Sequence, residues 1–386
     1  MKEGIGELGP RGGAAGEVAP TGVSIPATWQ REGLVLEGAD GEWGSFVMGD
    51  PCVVRDEEAG VWRMFLFALP PGHGQATTAG DPANPAAWSF DGPLTFTNPE
   101  ALEGRMVFKP FVVLDPLRPG QAARIDGLYA LLLGTDIEPK VVRRAWSPSL
   151  AGPWTVEATA LLECGAEDEF DARHVDAVSA WLFAGRDEIL YFYMGYPLRA
   201  QAGRSLSPLG SAQGAAVERV ETAAAAARAT LDGRTPPPTS VRKLGVVLPP
   251  STVSGHWASG WVGGLQLLRG RDTRWIGLVN ASPTAPRADD TSLSHEEPPP
   301  SLGGFAVCDD EFPVSGWRWC DQPIECLEDV PELARQAGEV VNFWRHHALV
   351  LEDGRLAVFY NAGDYFREKL FLRIAAPDGA PEKTCR

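Results

Sequence analysis

Residues Gly49–Leu69 read GDPCVVRDEEAGVWRMFLFAL. A small polar start leads into a short apolar run, Cys52–Val54, then a charged turn ending at Gly60, then a second run rich in aromatic and aliphatic residues. Two such runs joined by a Gly-containing turn read as a β-hairpin. The pattern recurs four times. Lys109 opens it in FKPFVVLDPLRPGQAARIDGLYALLLGTD, Asp176 in HVDAVSAWLFAGRDEILYFYMGY, Gly263 in WVGGLQLLRGRDTRWIGLVNA and His346 in RHHALVLEDGRLAVFYNAGD. Five copies of one β-unit predict a radial or stacked all-β architecture. In such a fold the innermost strands bring their leading residues to one central cavity, so chemistry is expected at these openers.

The 386 residues are 44% hydrophobic, enough for one large β unit with a substantial core. Thirteen Trp, 43 Gly and 33 Pro fit many short strands and frequent turns. A net charge of -17 argues against a basic nucleic-acid face and fits a neutral or polar ligand. No run of apolar residues is long enough for a membrane span. The N-terminus, MKEGIGELGPRGGAAGEVAP, lacks the apolar core of a secretory signal, so a soluble protein of the cytoplasm or an organelle is expected. The six cysteines show no CxxC spacing. Cys52 reads as a small buried hydrophobe, and Cys320–Cys326 or Cys308–Cys320 are the pairs expected if the protein is exported. His346 and His347 are adjacent on a strand and point to opposite faces, so they form no metal pair. No metal site and no cofactor is expected, and GxGxxG, Walker A, HExxH and GxSxG patterns are absent.

The chain divides into an N-terminal arm (1–33), one repeat domain (34–376) and a short tail (377–386). Two insertions are expected within the domain. One, 198–240, contains AAVERVETAAAAARATL (215–231), read as a helix stopped by TPPPTS. The other, 282–303, is polar and Pro-rich. A second repeated element places Trp after a small-residue turn: SPSLAGPW ending at Trp154, PPSTVSGHW at Trp257, DDEFPVSGW at Trp317, with DPANPAAW at Trp88 as a degenerate copy. These are expected to lie between one blade's strands and the next and to cover sheet edges. Asp126-Gly127, Asp187 and Asp353-Gly354 read as hairpin turns.

Four of these features carry a family resemblance. They are Asp50-Pro51 ahead of CVV, the Val175-Asp176 step ahead of a strand ending YFYMGY, the SPSLAGPW turn, and LAVFYNAGD (Leu356–Asp364). Over residues 34–374 the chain resembles the five-bladed β-propeller glycosidases: glycoside hydrolase families 43 and 32 and relatives, including family 130. The resemblance implies an all-β five-bladed propeller, a carbohydrate partner and cleavage of a glycosidic bond. That chemistry uses two carboxyl groups, one donating a proton to the leaving oxygen and one attacking or activating water. Carried over by position, Asp50 is the base or nucleophile and Asp176 the general acid. Three departures stand out. Blade three carries Asp176 where Glu is usual. Blade two carries Lys109 where an acid is usual. The WMNDPNG motif of family 32 is replaced by MGDPCVV.

Basic residues crowd the same level: Lys109, Arg173, His174, Arg345 and His346. They fit an anionic sugar, or inorganic phosphate in a phosphorolysis, or ion pairs with Asp50, Asp171 and Asp176 that shut the channel. Asp171, Trp261 and Asp364 complete the expected substrate-binding set, with Trp43, Trp181 and Trp344 as other stacking candidates. Two alternatives to hydrolysis remain open: an inverting glycoside phosphorylase, and a non-catalytic propeller that binds glycans or proteins.

Overall fold

The inner strands are apolar on both faces. Cys52, Val53 and Val54 are fully buried, as are Val112, Val113 and Ala180, which is the pattern of strands enclosed by sheets on both sides. In the computed structural model, described for residues 22–26, 28–38, 44–135, 139–198, 211–237, 240–272, 274–283, 301–324, 343, 345–363 and 368–375, these strands begin five four-stranded antiparallel sheets. Blade one runs β2 (Val47–Asp56), β3 (Val61–Leu69), β4 (Gly74–Thr78), β5 (Ser89–Gly92). Blade two is β6 (Val107–Val112), β7 (Tyr129–Thr135), β8 (Val142–Ser147), β9 (Thr155–Val156). Blade three is β10 (His174–Phe183), β11 (Glu188–Tyr196), β12 (Ala212–Arg219), β13 (Arg242–Leu248). Blade four is β14 (Trp261–Arg269), β15 (Trp275–Ser282), β16 (Leu302–Cys308), β17 (Trp317–Trp319). Blade five is β18 (His346–Val350), β19 (Leu356–Ala362), β20 (Lys369–Ala375) and, outermost, β1 (Trp29–Leu36).

The fold is the expected five-bladed β-propeller. The first strand pairs with the last, Gln30 opposite Ile374 and Leu34 opposite Phe371, so the chain's own start closes the ring. The arm expected over 1–33 therefore ends earlier, since Trp29–Gly33 belong to blade five. Ahead of it, Val23 and Ile25 are buried on blade four, where Val23 donates its N–H to Arg269 O and accepts from Arg271 N.

The first insertion is also shorter than expected. Residues Ala212–Arg219 form the third strand of blade three, and the helix α1 is Val220–Leu231. Ala215 and Ala216 favour a helix by propensity, but they are buried between β11 and β13, and that packing overrides propensity. Most of the second insertion lies outside the described residues.

The Trp repeat is structural. Trp88, Trp154 and Trp317 lie at the start of the fourth strand of blades one, two and four, so the turn joins strands within a blade instead of linking blades. Each Trp packs edge-on against a Phe of the preceding blade's second strand: Trp88 on Phe359, Trp154 on Phe65, Trp317 on Phe192. The other two seams carry Phe111–Trp181 and Trp29–Phe305, so aromatic contact cements all five. Trp257 breaks the pattern: in blade three α1 occupies the link between third and fourth strands, and Trp257 falls ahead of blade four. The expected hairpin turns are present, with Asp126, Gly127, Asp187 and Gly354 all left-handed.

Cys320 is disulfide-bonded, whereas Cys52, Cys164 and Cys308 are free thiols. That excludes the Cys308–Cys320 pair; Cys326 lies outside the described residues. Among the described residues no helix is long and apolar enough to cross a membrane.

Candidate active site

Each of the first four inner strands carries a bulge at its axial end. Pairing skips between Gly49 and Cys52, between Phe108 and Phe111, between Asp176 and Ser179, and between Val262 and Leu265. A bulge sets two residues against one and re-aims side chains. Asp50 (φ 48), Lys109 (φ 53) and Ala177 (φ 51) take the left-handed conformation at the same step of blades one, two and three. Non-glycine residues pay for that geometry in strain of about 1–3 kcal/mol, which concentrates at functional sites. Blade four uses Gly263-Gly264 at this step, and a Cβ on Gly264 would come within 3.0 Å of Arg345 Nε.

The bulges open onto one axial cavity of about 230 Å³. Asp50, Lys109, Asp176, Trp261 and Arg345 of the expected set line it. So do four polar residues that the openers did not indicate: Lys140, Asn280, Asn361 and Glu368. Phe67, Phe108 and Met194 supply apolar wall.

Asp176 is 1% exposed and fully engaged. Its Oδ2 accepts from Lys109 Nζ at 2.7 Å with Lys140 Nζ at 3.8 Å, and its Oδ1 accepts from the Ala177 N–H at 2.6 Å. Burial acts to raise its pKa, but the two ammonium groups and these hydrogen bonds outweigh it and hold the carboxyl well below the usual range. Asp50 is pushed the other way. Burial raises its pKa, and Lys109 and Arg345 only partly offset that. The backbone of Asp50 is fixed by Asn361, whose Oδ1 accepts from Asp50 N at 3.2 Å and from Arg345 N at 3.0 Å. Asn361 thus ties blade one to blade five at the ring closure. Asn280 does the matching work in blade four, accepting from Gly264 N at 2.7 Å. Arg345 reaches across to Val178 O at 2.9 Å, and burial lowers its pKa while Asp50 and Asp176 favour its charge.

The other described residues of the expected set do not line this cavity. Asp171 binds Tyr193 Oη and Lys243 Nζ at 3.0 and 2.7 Å. Its expected role of orienting Arg173 or lining the cleft is replaced by this brace within blade three. Arg173 lies outside the cavity, its N–H donating to Tyr196 O. His174 stands behind the wall, where Nδ1 accepts from Lys140 N at 3.3 Å and so helps to place that lysine. His346 lines a smaller void beneath, shared with Arg345, and burial holds its pKa down at about 3. Trp181 is core. Asp364, Trp43 and Trp344 lie outside the described residues. No cluster of metal-ligating side chains occurs among the described residues.

Fold and site together define a five-bladed propeller whose axial cavity is lined by three carboxyls, Asp50, Asp176 and Glu368, and three cations, Lys109, Lys140 and Arg345. No protein-family model matches the chain, and no curated protein matches it. Solved structures do match. A glycoside hydrolase is 13% identical with a TM-score of 0.58, over 93% of this chain and 94% of that one. A thermostable family-43 glycoside hydrolase is 13% identical (TM-score 0.54; 92% and 97% covered). The endo-arabinase from Bacteroides thetaiotaomicron is 12% identical (TM-score 0.52; 92% and 100% covered). At such identities the likeness is one of fold: the chain has the architecture of the five-bladed propeller glycosidases.

Proposed function

We propose that the axial cavity cleaves a glycosidic bond with Asp50 and Asp176 as the working carboxyls, in roles exchanged from those the family resemblance implies. One observation carries the reading. Three buried carboxyls line one cavity, and the surroundings of two of them, Asp50 and Asp176, push their pKa values apart. Such a divided pair separates acid from base. Asp50, raised by burial, is suited to hold and donate the proton to the leaving oxygen. Asp176, kept ionised by Lys109 and Lys140, is suited to stabilise the positive charge that develops on the sugar ring or to orient water. The cavity is smaller than the pockets of about 300–1,000 Å³ that enclose drug-sized ligands. It therefore suits a terminal sugar unit, with Trp261 and Phe108 as apolar faces.

The Lys109–Asp176 pair favours a second reading, a propeller that binds glycans without cleaving them. Release of reducing sugar from a panel of aryl glycosides and oligosaccharides, with and without phosphate, separates the two. The proposal expects turnover that falls by at least about a hundred-fold in Asp50→Asn and in Asp176→Asn. A requirement for phosphate would mark phosphorolysis. Binding without turnover on every substrate would establish the second reading.

A further inference from the structure

A second cavity, of about 750 Å³, opens at the other end of the inner strands. It lies within the range of about 300–1,000 Å³ that encloses small-molecule ligands, and none of its lining residues lines the axial cavity. Roughly 15 Å of β2 separates Asp50 at one site from Arg55 at the other. Three blades wall it. Blade one supplies Arg55, Trp62 and the turn Gly80–Ala83, blade two the loop at Pro119–Gln121, and blade five the hairpin Leu349–Arg355. Hydrogen bonds fix these walls: Arg55 N donates to Gly120 O at 2.7 Å, Ala83 N to Asp81 Oδ1 at 2.9 Å, and Leu351 N to Arg355 O at 2.9 Å. Gly120 is left-handed, and a Cβ there would come within 3.1 Å of Trp62 Cζ3 and 3.0 Å of Leu349 Cδ2, so glycine lets the loop close on the tryptophan.

Trp62 is half-buried, and the Arg55 guanidinium stands over its ring, 5.8 Å from the centre. No carboxylate among the described residues pairs with Arg55, which leaves its N–H donors, with the Gln121 amide, for a ligand. Glu57, Asp81 and Glu352 add acceptors, while Asp353 and Arg355 satisfy one another at 2.7 Å. An anion entering here would meet four carboxylates against two guanidinium groups. A cation would find the Trp62 ring already under Arg55. A neutral sugar has an apolar C–H face to lay on Trp62 and Leu351, and hydroxyls that use donors and acceptors alike. We propose that this groove between blades one and five is a glycan-binding site for a neutral oligosaccharide, on the face opposite the axial cavity. Its volume, more than three times that of the axial cavity, suits a run of sugar units. The assignment rests on the lining of the groove and stands apart from cleavage at the axis.

Titration calorimetry of the full chain carrying Asp50→Asn, with neutral hexasaccharides of glucose, mannose, galactose, xylose and arabinose, tests this. At least one should bind at a site that Trp62→Ala or Arg55→Gln weakens about ten-fold or more. Arg55→Gln keeps the Trp62 packing, so the test stands if Trp62→Ala fails to fold. Turnover of a small aryl glycoside should be unchanged when either substitution is made in the otherwise native chain. Binding that neither substitution weakens would place the sugar elsewhere and overturn the proposal, as would no binding of any hexasaccharide. Phosphate or spermidine bound in place of sugars, and lost in Arg55→Gln, would overturn the assignment to a neutral glycan. Turnover of aryl glycosides without groove binding would sink the groove and leave the glycosidase reading standing. Groove binding with no turnover on any glycoside would do the reverse.

Discussion

Asp50 and Asp176 differ by what surrounds each carboxyl, and that difference is measurable as stability. A carboxyl whose folded pKa is raised stabilises the fold fully below its ordinary 3.8 and loses that contribution as pH rises through the folded value. Asp50 is therefore a burden at neutral pH. Asp50→Asn, which tolerates the left-handed backbone equally well, should raise the melting temperature at pH 7 and give no gain below about pH 4. Asp176 is depressed, so its contribution is present above 3.8 and is lost as pH falls through its folded value. Asp176→Asn leaves Lys109 and Lys140 without their carboxylate and should cost about 3 kcal/mol at pH 7. That cost should shrink toward pH 2. Thermal denaturation of both variants against pH checks the opposite signs. At this scale the sequence was partly legible. Asp50 and Lys109 could be found because they open repeats and take the left-handed step of the bulge, whereas Asp176 stands one residue ahead of that step, which Ala177 occupies, and still lines the cavity. Lys140 and Glu368 precede strands β8 and β20, away from any opener, and no periodicity marks them. Asn280-Ala281 and Asn361-Ala362 did leave a signal, the N-A step shared by LVNAS and FYNAG, which marks the residues that pin the opener backbones. Asp171 and Arg173 misled because closeness in sequence to Asp176 is not closeness to the axis.

Blades are coupled by specific elements. Arg144 of β8 is fully buried and binds Glu157 Oε1 at 2.8 Å and Glu218 Oε2 of β12 at 2.6 Å, with Tyr191 Oη donating to Glu218 Oε2 at 2.7 Å. Burial alone would favour the neutral guanidine, but the two glutamates and Tyr191 keep Arg144 charged. Arg144→Ala leaves two buried carboxylates facing one another and should lower unfolding free energy by about 3–5 kcal/mol in urea. The ring closure is a second dependence. Removing residues 1–36 deletes β1, unpairs the edge of β20 and exposes Leu370, Leu372 and Ile374. Such a chain should aggregate or lose cooperative unfolding. This closing role was hidden in the sequence because β1 pairs with a strand over 300 residues away and has no repeat partner beside it. The β12 strand was hidden for a different reason: its alanines favour a helix in isolation, and only burial between two strands makes them a strand.

Across the molecule, five aromatic seams build a rigid ring, and the ring's symmetry delivers residues of different sign to one axis. The fold was readable because hairpins repeat. The chemistry was less so, because it depends on charges brought together from blades one, two, three and five. An acidic chain thus encloses a cavity with Lys109, Lys140 and Arg345 on its walls. Direct titration of the aspartate carboxyls by ¹³C NMR, with the Asp50→Asn and Asp176→Asn spectra assigning the two signals, tests the central claim of a divided pair. The account predicts that Asp50 titrates above 3.8 and Asp176 below it. The reverse order, or two ordinary values, would contradict it.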